Sequence, residues 1–180
     1  MQKFIAFLRG INVGGHRIIK MAELRQVLAQ AGYAEVRTYI QSGNLVFASK
    51  ELDAGKHAQN LTQLIFDHFG FEVPVMVLLP KDVERILASN PYLGTELMVS
   101  APVYFSILSN IPTPEKLLAL EAISYPDEHF NIVGNCIYAI YPKGTGKAKL
   151  NHAFFEKKLG VSMTTRNLRT MTTMLGMAAI

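Results

Sequence analysis

Cysteine is almost missing from this chain: one, Cys136, stands among 180 residues. A lone thiol excludes an internal disulfide and has no second thiol with which to share a metal, in keeping with a reducing compartment. Long apolar runs are also absent. The run between Lys3 and Arg9 holds five apolar residues, too few for a signal peptide or a membrane span, and no later run is long enough. The expected location is therefore cytoplasmic, with no membrane partner, and the Asn60-Leu61-Thr62 triplet reads as an accidental glycosylation match. Charge is scarce, at 18% against 49% hydrophobic residues, which excludes a strongly disordered chain. The net charge of +4 is a mild basic bias that favours anionic partners without being a nucleic-acid signature in itself. The length suits one large or two small domains.

Complete catalytic and metal motifs are lacking too. Gly10 and Gly15 meet the spacing of a P-loop, but His16 and Arg17 stand where its lysine and hydroxyl belong, so the anchors for a triphosphate and its magnesium are gone. Gly10, Gly14 and Gly15 do not keep the one-then-two spacing of a dinucleotide fingerprint. His16, His57, His68, His129 and His152 include no pair at helical spacing around a glutamate, and no metal site is expected. Ser42 lies on a hairpin-like turn rather than a strand-to-helix elbow, and reads as a turn serine. No motif implies a cofactor, and no catalytic residue can be assigned.

What is present is a strand that ends in a polar, glycine-rich bend. Phe4 to Leu8 runs into Arg9, Gly10, Asn12, Gly14 and Gly15 before a helix marked by Met21, Leu24, Val27 and Leu28. Glycine permits left-handed backbone and close approach of a ligand to peptide N–H groups, and a helix start adds unpaired donors and partial positive charge. Two strands, Val36 to Gln41 and Asn44 to Ala48, flank Ser42-Gly43 as a two-residue hairpin connection. A second helix carries Ala58, Leu61, Ile65 and Phe69 up to Gly70, and Val73 to Leu79 is a further strand. The order βαββαβ is the ferredoxin-like motif. Right-handed crossovers put its first and third strands at the centre, with both helices on one face.

In that topology the carboxyl ends of the first and second strands share an edge, so the glycine loop and the hairpin tip are expected to converge. Arg9, Asn12, Gly14, Gly15, Lys20, Tyr39, Gln41, Ser42 and Asn44 would then offer amide, hydroxyl and cationic donors to a phosphate or carboxylate. The plainer alternative is two tight turns in which glycine serves backbone geometry and Gln41 and Asn44 cap it.

The segment Ser89 to Gly94 breaks the pattern and divides the chain into a first subdomain, 1–90, and a second, 91–180. In the second, Pro102 to Leu108, a helix from Thr113-Pro114, and a hairpin of Phe130 to Val133 with Cys136 to Tyr141 restore βαββ, and a helix near Asn151 to Leu159 follows. This is a degenerate βαββα plait whose last strand is not evident, and Thr164-Thr165 are the expected N-caps of a C-terminal helix. The fold class is therefore α+β. Met171, Met174 and Met177 read as core fillers. The loop of Lys143, Gly144, Gly146, Lys147 and Lys149, together with Arg166 and Asn167, is a secondary anion-binding candidate, against the alternative of a solvated basic loop.

Strand one is apolar on both faces, which argues that the helix-free face of the first sheet is covered and weakens an RNA-platform reading. Asn44 to Ala48 also lacks the basic and double-aromatic pattern of that module.

The runs Arg9-Gly10-Ile11-Asn12-Val13-Gly14-Gly15, Lys20-Met21, Tyr39-Ile40-Gln41-Ser42-Gly43-Asn44, Asn90-Pro91 and Thr165-Arg166-Asn167 resemble the bacterial family catalogued as domain of unknown function 1697 (DUF1697). The resemblance spans nearly the whole chain. It implies an α+β fold with a ferredoxin-like part and no established activity, cofactor or catalytic residues. Leu168 stands where the family commonly has tryptophan, which removes the ring for a stacking role there. Three readings stay open: a protein that binds an anionic small molecule, an enzyme acting on a phosphorylated or carboxylated substrate, and a nucleic-acid-binding or protein-interaction module. Nothing in the sequence sets the oligomeric state.

Overall fold

Seven residues, Gln2–Leu8, form β1, of which Phe4 to Leu8 are all buried. Such a run fits only a central strand covered on both faces. In the computed structural model, which describes residues 1–180, β1 is followed by α1 (Met21–Gln30), β2 (Ala34–Tyr39), β3 (Asn44–Ser49), α2 (Ala54–Phe69) and β4 (Val75–Leu78). The sheet order is β2-β3-β1-β4, and every pairing is antiparallel. This is the ferredoxin-like plait. Phe4, Ala6 and Leu8 on one side of β1 pack with Leu24 and Leu28 of α1 and Leu61 and Ile65 of α2, each such side chain stabilising the fold by about 1.5–3 kcal/mol. Ile5, Phe7 and Val46 on the other side are equally withdrawn from water.

A second plait follows α3 (Pro80–Ala88) and a short α4 (Glu96–Ser100). Its elements are β5 (Val103–Leu108), α5 (Pro114–Glu121), β6 (His129–Val133), β7 (Cys136–Ile140), α6 (His152–Leu159) and β8 (Met163–Asn167), and the chain ends in α7 (Leu168–Ala179). The order β6-β7-β5-β8 repeats that of the first sheet. Internal contacts group Met1–Arg85 with Thr172–Ile180, and Ile86–Met171 as a second unit, whereas the sequence reading divides the chain between residues 90 and 91.

Three local expectations are corrected. Thr164 and Thr165 lie in β8, paired with Ile107 and Ser106. The cap of α7 is Asn167, whose Oδ1 accepts the Thr170 N–H at 2.9 Å. β8 escapes a pattern search because its sequence, MTTRN, carries one strongly apolar residue. Four residues, Ile40 to Gly43, connect β2 and β3, since the register closes at Tyr39 and Asn44.

Gly43 is fixed by two constraints at once. Its φ is +76°, and a Cβ there would lie 2.5 Å from Leu8 Cβ and 2.9 Å from Ile11 Cδ1. Gly15 has a φ of +77° but nothing within 4 Å of such a Cβ. Gly15→Ala is expected to cost only the left-handed backbone strain, about 1–2 kcal/mol, and Gly43→Ala a further 1–3 kcal/mol, roughly, from overpacking. Urea unfolding of the two variants measures the difference, and equal losses would contradict this packing.

The second core sets a pH limit. Burial pushes the Cys136 thiol up to about 12 from its usual 9.0, and burial, with the Glu128 carboxylate nearby, raises the Tyr141 phenol. Both groups stay neutral in the fold but ionise near their ordinary values in the unfolded chain. Their stabilisation is full below about pH 9 and is lost as pH rises toward the folded values, by about 1.4 kcal/mol per unit for each group. Denaturant melts from pH 8 to 11 should show this fall, and a flat profile would exclude it.

Candidate functional site

The glycine loop is a miniature hairpin. Asn12 N–H donates to Arg17 O at 3.2 Å and His16 N–H to Val13 O at 3.0 Å, with Val13 and His16 bridged antiparallel. Gly14 (φ 59°) and Gly15 (φ 77°) occupy the two central positions, where a primed turn requires positive φ. Three residues with side chains share that backbone region around it: Asn12 (φ 55°), Arg17 (φ 49°) and Ile40 (φ 47°). Such conformations cost of order 1–3 kcal/mol each and cluster at sites where the surroundings over-determine them.

The Asn12 carboxamide ties together the segments that carry them. Its Nδ2 donates to Ile19 O at 3.0 Å and to Gln41 O at 2.7 Å, and its Oδ1 accepts the Ile19 N–H at 2.9 Å. One side chain thus closes the base of the glycine hairpin and ties it to the β2–β3 tip. Leu8 N–H donates to Gly43 O at 2.8 Å beneath this joint, and buried Ile11 packs where Gly43 has no side chain.

The nine residues of the first candidate set therefore separate into three kinds. Asn12, Ser42 and Asn44 hold the loops together: buried Asn44 donates from Nδ2 to Tyr39 O and to Ser42 Oγ, both at 3.0 Å. Gly14 and Gly15 make the turn. Lys20 and Gln41 are exposed, and Arg9 and Tyr39 half-buried, on the rim. Lys20 is also the residue before α1, where the helix start has no side-chain cap.

Sequence reasoning passed over Arg17, His16 and the exposed apolar residues Val13, Ile18 and Ile40. Arg17 Nη1 lies 3.5 Å from the position a Gly10 Cβ would take, over the strand exit. The available signal was charge: residues 4–22 and 36–50 contain no carboxylate.

The secondary set is differently placed. Lys143 Nζ donates to Asp127 Oδ2 at 2.5 Å, and this bond holds the Asp127 carboxyl below its usual range. Glu128 accepts the Lys149 and Leu150 N–H groups at 2.8 and 2.7 Å, and Lys149 Nζ sits 5.5 Å from the Tyr125 ring centre. The cleft of about 170 Å³ lined by Lys143, Lys147 and Lys149 is thus also lined by Asp127 and Glu128. Arg166 and Asn167 do not line it. Arg166 donates to Thr164 Oγ1 and Thr165 O, burial pushing its guanidinium down to about 10, and Asn167 caps α7.

In the first unit, a cleft of about 430 Å³ is lined by Tyr33, Glu51, His57 and Asn60. His57 is 2% exposed, its Nε2 at 3.0 Å from Glu51 O, and its ring lies against Phe4 and Phe47; it is a satisfied core histidine. No group of three His, Cys, Asp or Glu side chains is placed to hold a metal. Phe4, Phe7 and Phe47 of the central strands are fully buried, so they give stacked bases no platform.

A pair of ferredoxin-like plaits with a side-chain-tied glycine hairpin defines the structural class. The chain belongs to the family described as "Protein of unknown function (DUF1697)", whose model matches residues 1–138. Among solved structures it is similar to a conserved bacterial protein from Streptococcus pneumoniae, with a TM-score of 0.72, 24% identity, and 98% of each chain covered. At that identity the likeness concerns the fold. No curated protein matches, and no helix is long and apolar enough to cross a membrane.

Asn12→Gly tests the tie, because glycine keeps the left-handed backbone and removes only the three side-chain bonds. At about 0.5–1.5 kcal/mol per bond, the expected loss is roughly 1.5–4.5 kcal/mol, with faster hydrogen exchange at the Ile19 amide. Unchanged stability and exchange would rule out this role for Asn12.

Proposed function

We propose that the protein binds an anionic small molecule, bearing phosphate or carboxylate, at the rim where the glycine hairpin meets the β2–β3 tip. The observation that carries this reading is the Asn12 bond to Gln41 O, at 2.7 Å, which holds two polar loops in one place. Around the tie, Arg9, His16, Arg17 and Lys20 come from segments with no acidic residue, so local charge favours an anion and disfavours a cation. Arg9 and Arg17 supply forked donors matched to planar or tetrahedral oxyanions, and Lys20 a point charge. Asn12, Ser42 and Asn44 act in this reading as the scaffold, and Gln41 as a polar contact.

The left-handed residues at the rim support binding rather than mere connection. A turn needs Gly14 and Gly15 but gains nothing from a β-branched residue at Ile40 with φ 47°, and strain of that kind is retained where position matters. The mixed-charge lysine cleft is the weaker candidate, since Asp127 and Glu128 compete there with any anion.

Thermal unfolding with inorganic phosphate, nucleoside monophosphates and dicarboxylates tests the proposal. At a ligand concentration a hundredfold above Kd, stabilisation is about 2.7 kcal/mol, or a rise of roughly 5–10 °C at about 2–4 °C per kcal/mol. Arg17→Ala and Lys20→Ala should each remove most of the rise, whereas Lys147→Ala should leave it intact. No rise with any of these anions, or a rise abolished only by Lys147→Ala, would refute the reading.

A further inference from the structure

The second unit holds a further cleft of about 400 Å³ lined by Tyr141, Thr145, Asn151, His152, Ala153 and Thr165. Apart from His152 these residues carry no ionisable charge at neutral pH. A chain of polar atoms opens into it. Ser106, 1% exposed on the central strand β5, has its Oγ 2.6 Å from Thr165 Oγ1, and Thr165 Oγ1 is in turn hydrogen-bonded to His152 Nε2.

Topology explains the juxtaposition. Ser106 and Thr165 are register partners on β5 and β8, so their side chains share one face of the sheet. That face also carries Ile137 and the α6 residues Phe155 and Leu159. His152 is the first residue of α6, and the Asn151 side chain caps that helix by accepting the Phe154 N–H at 3.1 Å. The cap fixes the helix start, and the helix start fixes the imidazole over the strand hydroxyl.

The geometry points to an acyl-transfer site in the second unit, with Thr165 as nucleophile, His152 as general base and Ser106 as the residue that positions the Thr165 hydroxyl. It takes a small uncharged ester and is independent of the anion-binding rim. A nucleophile and a base within hydrogen-bond reach are the starting ingredients of such chemistry, and here the third group holds the nucleophile rather than the base. In the proposed arrangement the Ser106 hydroxyl is the donor to Thr165 Oγ1, so that the Thr165 proton is directed onto His152 Nε2. The start of α6 supplies the remaining part: Asn151 takes up the Phe154 and Phe155 N–H groups, and Ala153, whose N–H precedes the intrahelical bonds, lies on the cleft wall.

The reaction balances without any further reagent. Thr165 Oγ adds to the ester carbonyl carbon as its proton passes to His152 Nε2, and the carbonyl oxygen becomes an oxyanion facing the Ala153 amide at the start of α6. Collapse breaks the bond to the leaving oxygen, which takes the proton from His152 and departs as the alcohol. Water then adds to the acyl-Thr165 ester and gives a proton to His152. A second collapse releases the acid and returns that proton to Thr165 Oγ.

The test uses the full chain with 4-nitrophenyl acetate and butyrate, following nitrophenolate release and mapping the acyl group by peptide mass spectrometry. The wild-type protein should carry the acyl group on Thr165 and hydrolyse the esters above the buffer rate. Thr165→Val, nearly isosteric, should lose the adduct and the rate together. His152→Gln should slow acylation at least a hundredfold, in line with general-base contributions of about 10²–10⁴. Thr165→Ser should keep the adduct, and it decides the matter should the valine variant fail to fold by circular dichroism. Ser106→Ala should lower the acylation rate constant while leaving the KM for the ester unchanged. Hydrolysis no faster than buffer, acyl groups only on lysines, or a folded Thr165→Val protein with wild-type rate would each overturn the assignment.

Discussion

Three hydrogen bonds from one side chain organise the amino-terminal rim. Without the Asn12 carboxamide, the glycine hairpin would be an exposed loop at the end of β1, and the β2–β3 tip an ordinary turn. With it, Ile19, Gln41 and the hairpin base share a single hub. Asparagine suits the task for two reasons. It tolerates the left-handed backbone better than most side chains, and its amide both donates and accepts. Beneath the hub, Gly43 lets Leu8 and Ile11 come closer than any side chain would allow. The rim is thus tied from below, with Arg17 and Lys20 exposed on it.

The two plaits solve the same packing problem with different surfaces. Each places an apolar central strand between two antiparallel neighbours and packs its helices on one face. In the first unit the strand ends carry glycine and cations. In the second, the polar residues sit within the sheet itself, as Ser106 and Thr165, and below the first turn of α6. Function, where the fold supports it, lies in such grafted groups rather than in the shared architecture.

Strong periodicity made most of this architecture legible. Met21, Leu24 and Leu28, then Leu61 and Ile65, announced α1 and α2, and Gly70 and Gly160 marked helix ends where the structure has them. β8 stayed hidden because a strand of MTTRN has too little apolar pattern to separate it from a helix cap, and only pairing with β5 makes it a strand. The convergence of the glycine loop and the hairpin tip followed from topology. The roles within it did not. Asn12 reads as a donor to a guest, yet its amide bonds to the protein, since a linear sequence cannot say which carbonyls lie nearby; Asn44 reads either as such a donor or as a cap of its turn, and its amide bonds within the turn. Arg17 was hidden by its place in a failed P-loop match, and the His152–Thr165–Ser106 chain by residues 46 and 13 positions apart.

The role proposed for the tied rim is to receive an anion. Amide chemical-shift mapping with inorganic phosphate tests it most directly, because it reports where the ion goes as well as whether it binds. The account predicts saturable shifts at Gly14, Gly15, Arg17 and Gln41, with one common Kd that rises with salt. Shifts confined to the loop from Lys143 to Lys149, or none that saturate, would contradict it.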